Sequence, residues 1–293
     1  MDERKASPPR VRRTRYRGCA LCLILVVLSG WWLFKQVSKA REAAREMACQ
    51  SCLNQIAFAL YCYHDTYEAF PPAVVSDEEG TPLYSWRVLL LPWLGFTELY
   101  DEFDLNASWD SPQNMRLAAR TPPYFRCPSG LSAGDVQFTN YVVISGPGTA
   151  FPGTQSTSVS DFRDGVERTI LLVEIANSTI HWMEPRDLDV ADMSFVINDP
   201  GTPSISSPHP RGPGIVLANN ISVYRCQPDM SPAVLKNLTT IAGGEPVAFE
   251  RRRQRNRWAG RSSQAGEANS DANPEAIREK EKFSEALPVV CAH

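Results

Sequence analysis

The sequence lacks the short signatures that mark most enzymes. It has no Gly-x-Ser-x-Gly elbow, no Walker loop, no dinucleotide-binding glycine fingerprint and no His-Glu-x-x-His pair. It also lacks a net field. With 30 basic and 33 acidic residues the formal charge is only −3, which argues against a chain drawn as a whole to nucleic acid or to an anionic surface. Proline and glycine are absent between Gly30 and Pro71, so no breaker interrupts that stretch. What is present is ordinary for a folded protein: 43% hydrophobic and 22% charged residues in 293, room for one large or two small domains. Twenty-one of the 23 prolines stand at Pro71 or beyond, which predicts a loop-rich body after a helical start.

Charge is distributed unevenly. Seven basic residues lie between Arg4 and Arg17, and the uncharged run Gly18–Phe34 (GCALCLILVVLSGWWLF) follows directly. As a helix this run covers about 26 Å, close to a hydrocarbon core, with Lys35 placed to snorkel. Trp31 and Trp32 sit near one end, where indole rings favour the headgroup layer. A signal peptide is the rival reading, but Trp-Trp-Leu-Phe-Lys after Gly30 is a poor cleavage site. A buried core helix is the other rival, and a basic block before an uncharged run argues against it. The expectation is a single-pass anchor made by Gly18, Leu21, Leu25, Trp31, Trp32 and Phe34 and held by membrane lipid. The positive-inside rule then places the N-terminus in the cytoplasm and the body outside.

The organisation expected is a basic segment 1–17, a membrane helix 18–34, a stalk helix 35–69, a body 70–247 and a charged, unstructured tail 248–293. Along the stalk, Val37, Ala40, Ala44, Ala48, Cys52, Ile56, Ala59 or Leu60, and Tyr63 recur in steps of three and four, the spacing of one helical face. Phe70-Pro71-Pro72 ends it. Ser85–Phe103 reads as helix with a break at Pro92–Gly95, and Ser111-Pro112 opens a short helix to Ala119. Strands are expected at Phe138–Ile144, Thr169–Glu174, Ser194–Ile197, Gly214–Ala218 and Ile221–Arg225, the last two joined by an Asn219-Asn220 turn. Ser231-Pro232 starts a last helix to Thr240. The fold class is α+β, with helices first and antiparallel strands after.

Chemistry is thinly signalled. Cys49-Gln-Ser-Cys52 has redox spacing, yet it falls mid-helix with no βαβ unit to lower a thiol pKa. A zinc site needs four converging ligands, and no second Cys-x-x-Cys stands beyond the anchor. In an oxidising compartment, Cys127 can instead staple the body to the stalk by a disulfide to Cys49 or to Cys52. His64-Asp65, His181 with Glu184, and His209 fit no ligand spacing. The basic run Arg251–Arg257 reads as a solvated or lipid-facing tail rather than a nucleic-acid site. No catalytic residue, cofactor or nucleic-acid partner is expected.

Residues 40–73 (AREAAREMACQSCLNQIAFALYCYHDTYEAFPPA), followed by SWRVLLLPWL, resemble the signature of domain-of-unknown-function family 1559, a large paralogous bacterial family. The likeness continues through Trp109-Asp110-Ser111-Pro112, Phe125-Arg126-Cys127-Pro128-Ser129, Gly146-Pro147-Gly148, Asp164-Gly165, Thr169–Glu174 and Trp182–Leu188 to Ala242–Glu245. His64, Asp65, Trp86, Pro92, Cys127, Asp164, Gly165, Glu174, Trp182 and His209 are the residues that carry it. The resemblance implies a type IV pilin-like plan: a long N-terminal helix packed on an antiparallel sheet body with short helices. It also implies assembly with copies of itself or with related envelope proteins. Asp161, Asp164 and Glu174 are the candidate metal residues by that analogy, as calcium ligands. Two features depart from the family pattern. Arg17-Gly18-Cys19-Ala20 replaces a prepilin start, and after nine intervening residues beyond His209 stands Asn219-Asn220 where the family has Asp-Gly. The role expected is structural, assembly or recognition work in the cell envelope. The alternative is an extracytoplasmic ligand-binding or sensory domain, its pocket lined by Trp86, Trp93, Trp109 and Trp182.

Overall fold

The computed structural model describes residues 13–130, 136–219, 223–227 and 229–244, with the backbone alone for residues 13–24. The first helix, α1 (Arg13–Tyr67), runs unbroken for 55 residues and is stopped where Glu68 takes a left-handed φ of 59° before Phe70-Pro71-Pro72. The body then adds β1 (Val74–Ser76), β2 (Pro82–Ser85), α2 (Trp86–Leu89) and α3 (Thr97–Glu102). After them come β3 (Tyr141–Val142), β4 (Ile144–Ser145), β5 (Ile170–Glu174), β6 (Leu188–Asp189), β7 (Gly214–Leu217), β8 (Val223–Arg225) and α4 (Pro232–Thr239).

The central sheet has the order β3-β5-β7-β8, every neighbour antiparallel. Its middle strands β5 and β7 are buried along their whole length, because both faces are covered. One face turns Leu171, Leu172 and Val216 toward a core shared with Leu53, Ile56 and Leu60 of α1. The other turns Val173, Ile215 and Leu217 toward Leu235 and Leu238 of α4. Each fully buried aliphatic side chain contributes about 1.5–3 kcal/mol. The helix lies so close to the sheet that a Cβ on Gly214 would come within 2.4 Å of Leu53 Cδ1.

The structure thus has an α+β fold with antiparallel sheets. The Ser85–Phe103 helix breaks where expected: Ser85 caps α2, Pro92 opens a 3₁₀ turn, and Gly95 leaves it at φ 81°. β5, β7, β8 and α4 also match their expected spans within a few residues. Four details differ. The β1–β2 hairpin and the parallel β4–β6 pair were not foreseen. Ser194–Ile197 forms only an isolated bridge from Ser194 to Ser204, and the Ser111–Ala119 segment holds just a 3₁₀ turn. The stalk packs on the expected stripe at Ile56 and Leu60 but on a shifted one before them. Ala40, Ala44 and Ala48 are exposed, while Glu46, Cys49, Leu53, Ile56 and Leu60 are buried. Tracking apolar residues alone missed a glutamate at the start of the packed stripe.

Among the described residues, no helix is long and apolar enough to cross a membrane. The side chains of Gly18 and Leu21 lie outside the described residues, as do most of the basic segment and the whole of the 248–293 tail. Leu25, Trp31, Trp32 and Phe34 are exposed on α1.

A buried cysteine, histidine and glutamate cluster

Four segments far apart in sequence meet between the stalk and the sheet. Cys49 comes from α1. Cys127 comes from the turn after a 3₁₀ segment (Pro123–Phe125), where Asn140 Oδ1 accepts its backbone N–H at 2.9 Å. Glu174 is the last residue of β5. His209 sits in the loop before β7, its N–H donated to Ser207 Oγ at 3.1 Å. One ligand atom from each of the four lies within 4.8 Å of all the others, and none of the residues is more than 3% exposed. Cys127 Sγ is 3.3 Å from His209 Nε2, and Glu174 Oε1 is 3.7 Å from the same nitrogen.

A second ring of contacts holds these groups in place. Glu42 Oε1 is 2.8 Å from His209 Nδ1, which turns Nδ1 outward and Nε2 toward the cluster. Glu174 accepts from Ser207 Oγ at 2.9 Å, from Gly214 N–H at 3.0 Å and from Arg225 Nη1 at 3.1 Å. Arg225 also donates to the Glu46 carbonyl, and Arg211 reaches the Glu46 carboxylate at 2.9 Å.

The cluster perturbs its own titrations. Burial and the neighbouring Cys127 charge push the Glu174 carboxyl up. Burial alone would lower His209, but its bonds to Cys127 and Glu42 carry it up to about 8. Hydrogen bonds from Cys49 and His209 draw the Cys127 thiol down to about 4, against the effect of burial. Cys49 moves the other way, because it is the thiol that donates to Cys127. Two thiols and a carboxylate around one imidazole form a site that attracts a cation.

Cys127, His209 and Glu42 are arranged like a nucleophile, base and orienting carboxylate. Burial disposes of that use, since no substrate atom reaches a sulfur sealed under the stalk. The structure has a groove of about 1000 Å³ running past Ser207 and Pro208, but neither cysteine nor His209 lines it. The two cysteines of the cluster are thiols. Cys49, Cys52 and Cys127 are all unbridged, and Cys127 meets Cys49 rather than Cys52, whose sulfur faces the Pro123 and Arg126 carbonyls.

The other predicted site residues are scattered, and their contacts are local. Asp161 closes a capping box with Ser158, and Asp164 accepts from Gly243 and Gly244 N–H at 2.6 and 2.8 Å. Neither carboxylate joins Glu174 in a common site. His64 Nε2 accepts the Val159 N–H at 3.3 Å and its ring packs on Phe70, with Asp65 exposed beside it. Gly165, at φ 96°, turns the chain toward β5. Trp86 and Trp182 are fully buried, donating to Asp187 and to the Ala118 carbonyl. None of Trp86, Trp93, Trp109 or Trp182 lines the groove. A spacing search misses the real cluster because each ligand comes from a separate segment. The signal that could have found it was Glu42, Glu46 and Cys49 on one helical face.

Comparison with known proteins places one part of the chain. Residues 38–154 match the model of a family described as "Protein of unknown function (DUF1559)". Trp86, Pro92 and Cys127 fall inside that match, while Asp164, Glu174, Trp182 and His209 lie beyond it. No curated protein and no solved structure matches. The match over residues 38–154 is thus to the same family that the stalk and tryptophan-arginine signatures resemble.

Proposed function

We propose that this is a single-pass, membrane-anchored protein of the bacterial cell envelope, whose pilin-like body stands outside the cytoplasm and serves assembly or recognition. The observation that carries the reading is the first half of α1. Between Leu25 and Phe34, eight large apolar side chains are 54–69% exposed on every side of the helix, with no body packed on them. Water does not tolerate such a sleeve, and lipid covers it. In sequence the uncharged run extends back to Gly18 behind a basic block, which gives the orientation. Lys35 Nζ lies 4.1 Å from the centroid of the Trp31 ring, a pairing suited to the headgroup layer. The same helix enters the body core at Cys49, so anchor and body form one rigid rod.

Alkaline extraction of membranes and a reporter fused at the C-terminus test the placement. The expected product stays with the membrane pellet and its reporter is active only outside the cytoplasm; release into the supernatant would refute the anchor. Crosslinking in native membranes should also give species larger than the monomer.

A second reading has one observation in its favour. The groove of about 1000 Å³ is lined by Arg186, Asp189, Asp192, Asn198, Asp199 and Thr202 among others, a polar set suited to a hydrophilic ligand. A thermal-shift screen with sugars and metals separates this ligand-binding role from a purely structural one.

A further inference from the structure

We propose that Cys49, Cys127, Glu174 and His209 bind one zinc-class divalent ion in a closed, tetrahedral site that pins the stalk helix to the body. This goes beyond the membrane reading and does not depend on it.

The geometry is the first ground. A tetrahedron with zinc–ligand bonds of about 2.0–2.3 Å has edges of about 3.3–3.8 Å. The observed separations of 3.3 and 3.7 Å from His209 Nε2 to its two neighbours already match, and all four donors lie inside 4.8 Å. Rotamer adjustments on the order of 1 Å would close the shell.

The outer shell is the second ground. A histidine that ligates through Nε2 almost always donates its Nδ1–H to a carboxylate or carbonyl, and Glu42 fills that role at 2.8 Å. Glu174 Oε2 is held by the Gly214 N–H and Arg225, while Oε1 accepts from Ser207 Oγ and stands 3.7 Å from His209 Nε2. These supports orient the ligands whether or not the ion is bound.

Charge and chemistry are the third ground. Metal binding releases the thiol protons, and a divalent ion together with the Arg225 guanidinium then neutralises two thiolates and a carboxylate in a buried space. Thiolate and imidazole donors select zinc over calcium or magnesium. With four protein ligands and no solvent path, the site keeps no open position, so its role is structural. It ties α1 to three separate body segments. The stalk therefore meets the body through a metal as well as through Leu53, Ile56 and Leu60.

The test uses the full-length chain, purified in mild detergent under reducing conditions without chelator. Metal analysis should return about one zinc per chain, and cobalt substitution should give the visible d–d bands and near-ultraviolet thiolate charge transfer of a tetrahedral two-sulfur site. Cys49→Ser, Cys127→Ser and His209→Gln should each reduce the zinc by about tenfold, while Cys52→Ser and Cys226→Ser retain it. Wild-type protein that takes up no zinc when the ion is supplied would overturn the proposal. So would a cobalt spectrum without thiolate bands, or mass mapping that finds Cys49 and Cys127 joined as a disulfide in the native product. Because the stoichiometry and spectrum are read on wild type, a misfolded variant does not remove the test.

Discussion

Replacing Asp187 by alanine should be among the most damaging single changes in the body. Asp187 and Arg87 form an ion pair at 2.5 Å with side chains 1% and 0% exposed. The carboxylate also accepts the Val143 N–H at 3.0 Å and the Trp86 indole N–H at 3.1 Å. Arg87 in turn donates to Ser85 Oγ at 2.7 Å and to the Tyr141 carbonyl at 3.1 Å. The pair thus joins β2 and α2 to β3 and to the segment before β6. Removing one partner of a buried pair leaves an uncompensated charge and costs about 3–5 kcal/mol. The orphaned Trp86 and Val143 donors act in the same direction. For a body of this size each kcal/mol is worth about 2–4 °C, so Asp187→Ala should lower Tm by roughly 6–20 °C. The assay is thermal and urea unfolding followed by tryptophan fluorescence, since Trp86 and Trp182 report from the core. The double variant Arg87→Met with Asp187→Leu removes both charges and should recover a large part of the loss. The reasoning is refuted if Asp187→Ala stays within about 1 kcal/mol of wild type. It is refuted equally if the double variant loses as much as the two single changes added together.

Three further outcomes are expected. Gly214→Ala should cost about 1–3 kcal/mol in urea unfolding, because its Cβ would meet Leu53 Cδ1 at 2.4 Å and Val223 Cγ1 at 3.2 Å; an unchanged midpoint would show that α1 can move off the sheet. Burial drops His181 from 6.5 to about 4, against the pull of Glu184, so the unfolded chain binds its proton first as pH falls. Stability from this residue is therefore intact above pH 6.5 and is lost toward pH 4, by about 2 kcal/mol at pH 5; His181→Phe should flatten that slope relative to wild type. Asp164→Ala should release the Gly243 and Gly244 amides, seen as faster hydrogen exchange there, with a global loss of only about 1–2 kcal/mol.

Much of the fold was legible from local chemistry. A breaker-free stretch from Gly30 to Pro71 predicted a single helix, and Ser85 and Pro92–Gly95 marked a cap and a break, all of which the structure contains. Dense β-branched runs located β5 and β7 because strands buried on both faces read as continuous apolar segments, and β8, a half-buried edge strand, was located by the run that ends at Arg225. The expected Phe138–Ile144 strand holds β3 and the start of β4, whereas the two-residue β6 carries no such signal, since pairing with a distant partner defines it. The parallel β4–β6 pair depends on a crossover that no local pattern announces.

The cluster shows the division most clearly. Sequence determined that the chain has an uncharged run behind a basic block, one long helix and a strand-rich body, because helix and strand periods are properties of neighbouring residues. It also carried the likeness to the DUF1559 family model over residues 38–154. Only tertiary structure decided that Cys49, Cys127, Glu174 and His209 meet, and that Cys127 faces Cys49 and His209 rather than Cys52. Each ligand is brought to that point by a different element: a helix face, a turn, a strand end and a loop. Convergence of this kind is set by how the elements pack. Ligand spacing along one segment carries no record of it.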